Sequence, residues 1–167
     1  MQQPSFEPMY TAIGRAMTTW QDVELQLFLL YARLITPRGN FHSLAAAFYT
    51  VKNFSTRADM VTNTVLINFG SKSPFYKAWQ KLRTPELTEC NGLRNRIAHF
   101  RLSNSGRGLF LVDEIINIAG IDFDSRIDFH LKRETKHLSV EDVEALTPRF
   151  ANLAVGLSQT AVDPYGH

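Results

Sequence analysis

Residues 8–35, PMYTAIGRAMTTWQDVELQLFLLYARLI, decide the fold of this chain. Apolar side chains recur along them at alternating spacings of three and four residues, which predicts a single helix with one apolar face. The stripe consists of Ile13, Met17, Trp20, Leu27, Tyr31 and Leu34. A helix of this length extends roughly 40 Å and is long enough to be the central helix of a bundle. Glu24 interrupts the stripe, because it stands where the period requires an apolar side chain.

Shorter segments with the same periodicity follow, each bounded by residues that begin or end helices. They predict helices at residues 43–52 and 85–100 and helices whose N-caps are Ser55, Ser73 and Ser139. The apolar seam of the last helix is predicted to consist of Val143, Leu146, Phe150, Leu153 and Leu157. Thr84–Pro85 either kinks or restarts the fourth helix, since proline lacks an amide hydrogen and clashes with the preceding turn.

The pattern changes after residue 102, where strand periodicity begins. Leu109–Val112 is a short run of strand-forming residues, and apolar residues alternate with polar ones over Ile127–Leu131. A period of two indicates strands, so a small antiparallel ribbon is predicted at about residues 108–132. The predicted fold is mainly α, an antiparallel up-and-down bundle of four to six helices with this β-ribbon inserted before the last helix.

Length and composition are typical of one globular domain. The chain has 167 residues, of which 44% are hydrophobic and 20% charged, and we predict a single domain at residues 1–162 with a disordered tail at 163–167. The net charge of +2 is too small to indicate nucleic-acid binding by itself, although arginines outnumber lysines 12 to 6.

Several classes of protein are not expected. No apolar run approaches the ~20 residues that cross a bilayer, and the N-terminus lacks the basic and apolar segments of a signal peptide. We therefore expect no membrane partner and a cytoplasmic location. The single cysteine, Cys90, excludes an intramolecular disulfide and a cysteine-rich zinc site. Neither a metal nor a cofactor is predicted.

The densest polar cluster on any predicted helix is Asn91–Phe100, NGLRNRIAHF. Its inner face is predicted to consist of Leu93, Ile97 and Phe100. Asn95 and His99 are four residues apart and are neighbours on the outer face, with Arg94 on the flank. Such residues near a helix C-terminus can form a plain solvated surface, where His and Arg complement the helix dipole. They can also form a functional site.

Residues 93–99, LRNRIAH, resemble the R-x4–6-H signature of HEPN domains, in which a polar residue, often Asn, follows the Arg. The layout is also similar to that family, with a long first helix, the motif late in a following helix and a C-terminal helix that closes the bundle. Trp20 and Glu24 on the first helix form a W-x-x-x-E string, and the family often places an acidic residue near the motif.

The resemblance implies metal-independent RNA cleavage at a site shared across a homodimer, in a toxin or defence role. Arg94, Asn95 and His99 would be the catalytic residues: the imidazole acts as general acid or base, the guanidinium holds the scissile phosphate, and the amide orients His99 or the phosphate. Glu24 and Arg96 would be supporting residues. Glu24 is either partly exposed at the margin of the stripe, or buried and paired with Arg94 or Arg96.

Two other hypotheses stay open at this point. A non-catalytic HEPN-like helical dimer would use the same cleft to bind a nucleotide or a partner protein, whereas a toxin could have an antitoxin as its partner. In a purely structural helical dimer, the motif would be a chance arrangement of surface residues without a function. RNA cleavage without divalent metal distinguishes the first hypothesis from both.

Overall fold

One long helix lies at the centre of a helical bundle in the computed structural model, which describes residues 5–36, 41–99, 101–105, 108–112 and 138–162. The helices are α1 (Glu7–Ile35), α2 (Phe41–Thr50), α3 (Phe54–Phe69), α4 (Pro74–Lys81), α5 (Thr88–His99), α6 (Val140–Glu144) and α7 (Leu146–Val162). The strands are β1 (Arg101–Ser105) and β2 (Gly108–Val112). This mainly α architecture, with a β-ribbon before the last helices, confirms the predicted fold class.

The apolar face of α1 lies at the centre of the hydrophobic core. Trp20 is fully buried, and its ring centroid lies 4.8 Å from that of Phe54 on α3 and 5.1 Å from that of Phe150 on α7. Aromatic pairs at such separations contribute about 0.5–1.5 kcal/mol each beyond the area that they bury. α1 packs most extensively against α7. The predicted seam of the C-terminal helices is confirmed, since all its members are buried: Val143, Leu146, Phe150, Leu153 and Leu157.

Asn53 caps helix α3. Its Oδ1 accepts hydrogen bonds from the backbone amides of Ser55 (2.8 Å) and Thr56 (3.4 Å). The prediction that Ser55 is the N-cap is therefore wrong by two residues, because asparagine is an equally good cap and the helix already begins at Phe54. The predicted bounds of α2, 43–52, are shifted from the observed bounds by a similar amount.

Two other predicted caps are confirmed. Ser73 Oγ accepts the amide of Tyr76 at 3.0 Å at the start of α4. Ser139 and Asp142 form a reciprocal capping box at the start of α6, in which each side chain accepts the other residue's backbone amide.

The helical backbone is interrupted between α4 and α5, as Pro85 predicts. The linking segment Leu82–Leu87 contains non-helical backbone at Thr84 (φ −134°, ψ 118°), and the Thr84–Pro85 peptide bond is cis. Helix α5 then begins at Thr88, so the alternative of a restarted helix is confirmed. This restart gives the motif helix a direction of its own.

The ribbon differs from the sequence prediction in one strand. β2 was expected from Leu109–Val112, but it pairs in antiparallel register with β1, which directly follows α5. β1 is polar, RLSNS, and so carries no alternating apolar signal. A hairpin with a short connection also closes at a smaller entropic cost than a pairing with residues 127–131. Those residues, predicted as the second strand, lie outside the described residues, as does the predicted tail at 163–167.

Replacing Asn53 by Ala is expected to lower the free energy of unfolding by about 1 kcal/mol, because two amides of α3 lose their acceptor. Chemical denaturation followed by circular dichroism measures the change. Ser55→Ala is the matched control: Ser55 is exposed and only its backbone amide is used, so its stability should stay close to native. An equal loss in both variants would contradict the assignment of Asn53 as the cap.

Candidate functional site

Helix α5 presents the motif with one side in the core and the other exposed. Cys90 and Ile97 are the buried residues of this helix. Asn95 and His99, one turn apart, are both exposed. The helical-wheel prediction that these two side chains face away from the core is therefore confirmed. Phe100, predicted to face inward, lies outside the described residues.

Arg94 lies on the flank of α5, between the exposed face and the core. Its Nη1 donates a hydrogen bond to Asn95 Oδ1 at 3.0 Å, and its Nη2 lies 3.9 Å from Glu24 Oε1. The second distance is too long for a hydrogen bond, so Glu24 attracts Arg94 without a direct bond. The Arg94 side chain is 29% exposed and can be reached from solvent.

Glu24 is held by two other donors. Trp20 Nε1 donates to Glu24 Oε1 at 2.8 Å, and Arg57 Nη1 donates to Glu24 Oε2 at 2.9 Å. The carboxylate side chain is only 19% exposed. Such a carboxylate needs partners, because an uncompensated charge that has been removed from water is strongly destabilising. Glu24 is therefore partly exposed at the margin of the core and also paired with an arginine. The structure combines the two alternatives that the sequence left open.

Arg57 is the functional-site neighbour that sequence reasoning missed. It is only 7% exposed, and its guanidinium carbon lies 5.5 to 5.7 Å from three aromatic ring centroids, those of Phe48, Tyr49 and Phe54. Cation–π attraction therefore supplements its ion pair. A signal was present in the sequence. Arg57 interrupts the apolar face of α3 as Glu24 interrupts that of α1, and two buried side chains of opposite charge can pair.

The predicted partners of Glu24 are thus corrected in part. Arg94 is a secondary neighbour, while the hydrogen-bonded partner is Arg57. Arg57 is the closer partner of Glu24 because it lies on the apolar face of α3, which packs against α1. Arg96, the other predicted supporting residue, is half-buried on α5, and the described ion pairs of Glu24 are those with Arg57 and Arg94.

Some polar atoms around this cluster have no hydrogen-bond partner within the part of the chain that the structure describes. They are buried, and they are Arg57 Nε, Asn91 Oδ1 and Arg94 Nε. Asn91 borders a cavity of about 30 Å³ between α3 and α5, which has room for a water molecule.

Tyr49 lies beside the Glu24–Arg57 pair, with 44% of its surface exposed. Partial burial raises the pKa of its hydroxyl, the charge of Glu24 raises it further, and Arg57 opposes the change. The hydroxyl therefore stays protonated at neutral pH and is available as a hydrogen-bond donor next to the cluster.

A second polar network fastens α5 to α7. Arg149 donates to both carboxylate oxygens of Glu86, at 2.9 and 3.2 Å, and to Glu89 at 2.7 Å. These hydrogen bonds hold the pKa of Glu86 below its usual value. Burial raises the pKa of the neighbouring Cys90 to about 12, helped by its contact with Glu86 at 3.3 Å. Cys90 is therefore a structural thiol and is unsuited to be a nucleophile.

No family model, no curated protein and no solved structure matches this chain. Within the described ranges, no helix is long and apolar enough to cross a membrane. The same residues contain no cluster of three or more His, Cys, Asp or Glu side chains that could hold a metal ion. The function is therefore inferred from the motif and from the geometry around it.

Cys90 is expected to react with iodoacetamide at about pH 8 at least about 100-fold more slowly in the folded chain than in the chain unfolded by guanidinium, because burial removes access and suppresses the thiolate. Mass spectrometry of the alkylated chain measures both rates. Since the raised pKa keeps the folded thiol protonated, labelling of the folded chain should accelerate only as the pH rises toward 12. Equal rates in the two states would show that Cys90 is accessible.

Proposed function

We propose that this chain is an endoribonuclease of the HEPN type, which cleaves RNA without a metal ion at a site composed from two copies of the chain. One observation carries the proposal. The Arg94 side chain is accessible and donates a hydrogen bond to Asn95, and Asn95 shares an exposed helical face with His99. The similarity of residues 93–99 to the HEPN signature supports the same conclusion.

The required chemistry matches these side chains. The 2′-oxygen of the RNA forms a bond to phosphorus while a base removes its proton. The bond from phosphorus to the 5′-oxygen breaks, and an acid protonates that oxygen, which leaves a 2′,3′-cyclic phosphate. His99 performs one of the proton transfers. Arg94 binds the non-bridging phosphate oxygens and stabilises the charge that develops on them.

Asn95 positions Arg94. Its amide oxygen accepts the 3.0 Å hydrogen bond from Arg94 Nη1, and Glu24 attracts the same guanidinium from the core side. A fixed guanidinium loses less conformational entropy when it binds a phosphate. The supporting role proposed for Glu24 is therefore electrostatic, and it acts through Arg94.

A second copy of the chain completes the site. The reaction needs both a base and an acid, whereas one copy supplies a single His99 on this face. Two α5 helices related by a two-fold axis would bring two His99 and two Arg94 side chains together. Ala98 is exposed on the same face and is small enough to let the helices approach.

The biological setting belongs to the same proposal. RNA as substrate agrees with a cytoplasmic location, and the HEPN resemblance implies a toxin or defence role. An antitoxin is then the protein partner that would restrain the activity. A non-catalytic dimer that binds a nucleotide is the competing outcome, and the following experiment separates the two.

The native chain is expected to cleave a single-stranded RNA oligonucleotide in EDTA, and Arg94→Ala and His99→Ala are each expected to lower the rate at least about 100-fold. Gel electrophoresis measures the rate, and mass spectrometry identifies the cyclic phosphate. Arg33→Ala, an exposed arginine on α1 away from the motif, is the control and should stay near native activity. Cleavage that persists undiminished in His99→Ala would refute the assigned chemistry, and RNA binding without cleavage would favour the non-catalytic dimer.

Mixing active and inactive chains tests the shared site. Native chains refolded with an excess of His99→Ala chains form mixed dimers that retain a single His99, so the activity per native chain should fall as the fraction of mixed dimers rises. Native chains refolded with the same excess of Arg33→Ala chains are the control and should lose no activity. Undiminished activity per native chain, despite mixed dimers detected by native mass spectrometry, would contradict a site that requires His99 from both copies.

A further inference from the structure

Glu24 stands between two arginines, and only one of them is hydrogen bonded to it. Arg57 Nη1 lies 2.9 Å from Glu24 Oε2, whereas Arg94 Nη2 lies 3.9 Å from Glu24 Oε1. One carboxylate and two guanidinium groups leave a net charge of +1 for the three side chains. That excess charge lies on the side of Arg94, the more exposed arginine.

The carboxylate is fixed from two directions. The oxygen nearest to Arg94, Oε1, accepts the indole N–H of Trp20 at 2.8 Å, and the other oxygen accepts Arg57. A direct bond to Arg94 would require the gap to close by about 1 Å, to an ordinary N–H···O distance. The Trp20 ring cannot follow such a movement, because it is fully buried against Phe54 and Phe150.

This arrangement matters because a carboxylate and a phosphate compete for the same guanidinium. A bidentate pair between arginine and carboxylate is among the strongest charge-assisted hydrogen-bonded contacts. If Glu24 formed that pair with Arg94, an incoming phosphate would first have to break it. In the observed geometry Arg94 is attracted toward Glu24 but not bonded to it, and its buried Nε has no partner among the described residues.

We propose that Trp20 and Arg57 are positioning residues, which hold the Glu24 carboxylate and thereby keep the Arg94 guanidinium available for a phosphate group of RNA. The inference rests on the proposed function for the identity of the anion. It goes beyond that function because it assigns roles to two buried side chains that do not touch the substrate. Arg57 supplies the charge that Glu24 needs, and Trp20 supplies the directional bond to the oxygen nearest to Arg94.

Trp20→Phe tests the inference, because it removes the indole N–H without changing any charge. Oε1 is then left without its donor, and Arg94 should close onto it. We expect the affinity for an RNA oligonucleotide with a single 2′-deoxy substitution at the scissile position to fall about fivefold, equivalent to ~1 kcal/mol. Fluorescence anisotropy in EDTA at fixed salt measures the affinity, at a temperature where melting curves show every variant to be folded.

Two further variants separate positioning from a loss of packing. Trp79→Phe is the matched control: Trp79 is also fully buried, and its N–H donates to Thr62 at 3.0 Å, so it loses the same atoms without touching Glu24. Its RNA affinity should be native. In a Glu24→Gln background the same Trp20→Phe change should cost no RNA affinity relative to Glu24→Gln alone, because the neutral amide cannot capture Arg94.

The outcomes are distinct. Native affinity in Trp20→Phe, an equal loss in Trp79→Phe, or a loss of the same size in the Glu24→Gln background would each overturn the inference. Arg94-dependent RNA binding with no cleavage would refute the ribonuclease activity and leave the inference standing, provided that Trp20→Phe lowers the affinity in the native background and not in the Glu24→Gln background. A native chain that binds no RNA would overturn the inference together with the function on which it rests.

Discussion

A single carboxylate placed in an apolar interface constrains much of this molecule. Glu24 is on the buried stripe of the central helix, where an unpaired charge would be strongly destabilising. Its two hydrogen-bond donors come from α1 itself, through Trp20, and from α3, through Arg57. Its third neighbour, Arg94, belongs to α5. Because this carboxylate needs partners when it is removed from water, it fixes the relative positions of three helices that are far apart in the sequence.

Helix α5 depends on such polar links because few of its residues are buried. It is 12 residues long, yet only Cys90 and Ile97 are buried. Hydrophobic burial alone therefore gives it a small share of its stability. The charge of Glu24 attracts Arg94 on one side, and Arg149 holds the first turn and the preceding segment through hydrogen bonds to Glu89 and Glu86. A helix held by such contacts can present its exposed face with a defined orientation, which suits a site that requires accurate geometry.

The sequence was sufficient for the elements that carry strong periodicity. The length of α1, the seam of α7, the restart after Pro85 and the outward direction of Asn95 and His99 all follow from helical spacing and local stereochemistry. Arg57 could not be paired with Glu24 in the same way, because 33 residues separate them and periodicity describes one helix at a time. β1 was missed for a different reason: its polar sequence forms a strand because β2 is adjacent, so its signal lies in tertiary structure.

Beyond the helices, β2 is bonded to a second partner. The backbone of Leu111 exchanges hydrogen bonds with that of Leu138, at 2.9 and 3.4 Å, and both side chains are buried. This pairing ties the hairpin that follows the motif helix to the residue before the N-cap of α6. Because the hydrogen bonds join backbone groups, they do not depend on which side chains stand at the two positions. Any apolar side chain that fits the buried space at these two positions therefore keeps the connection.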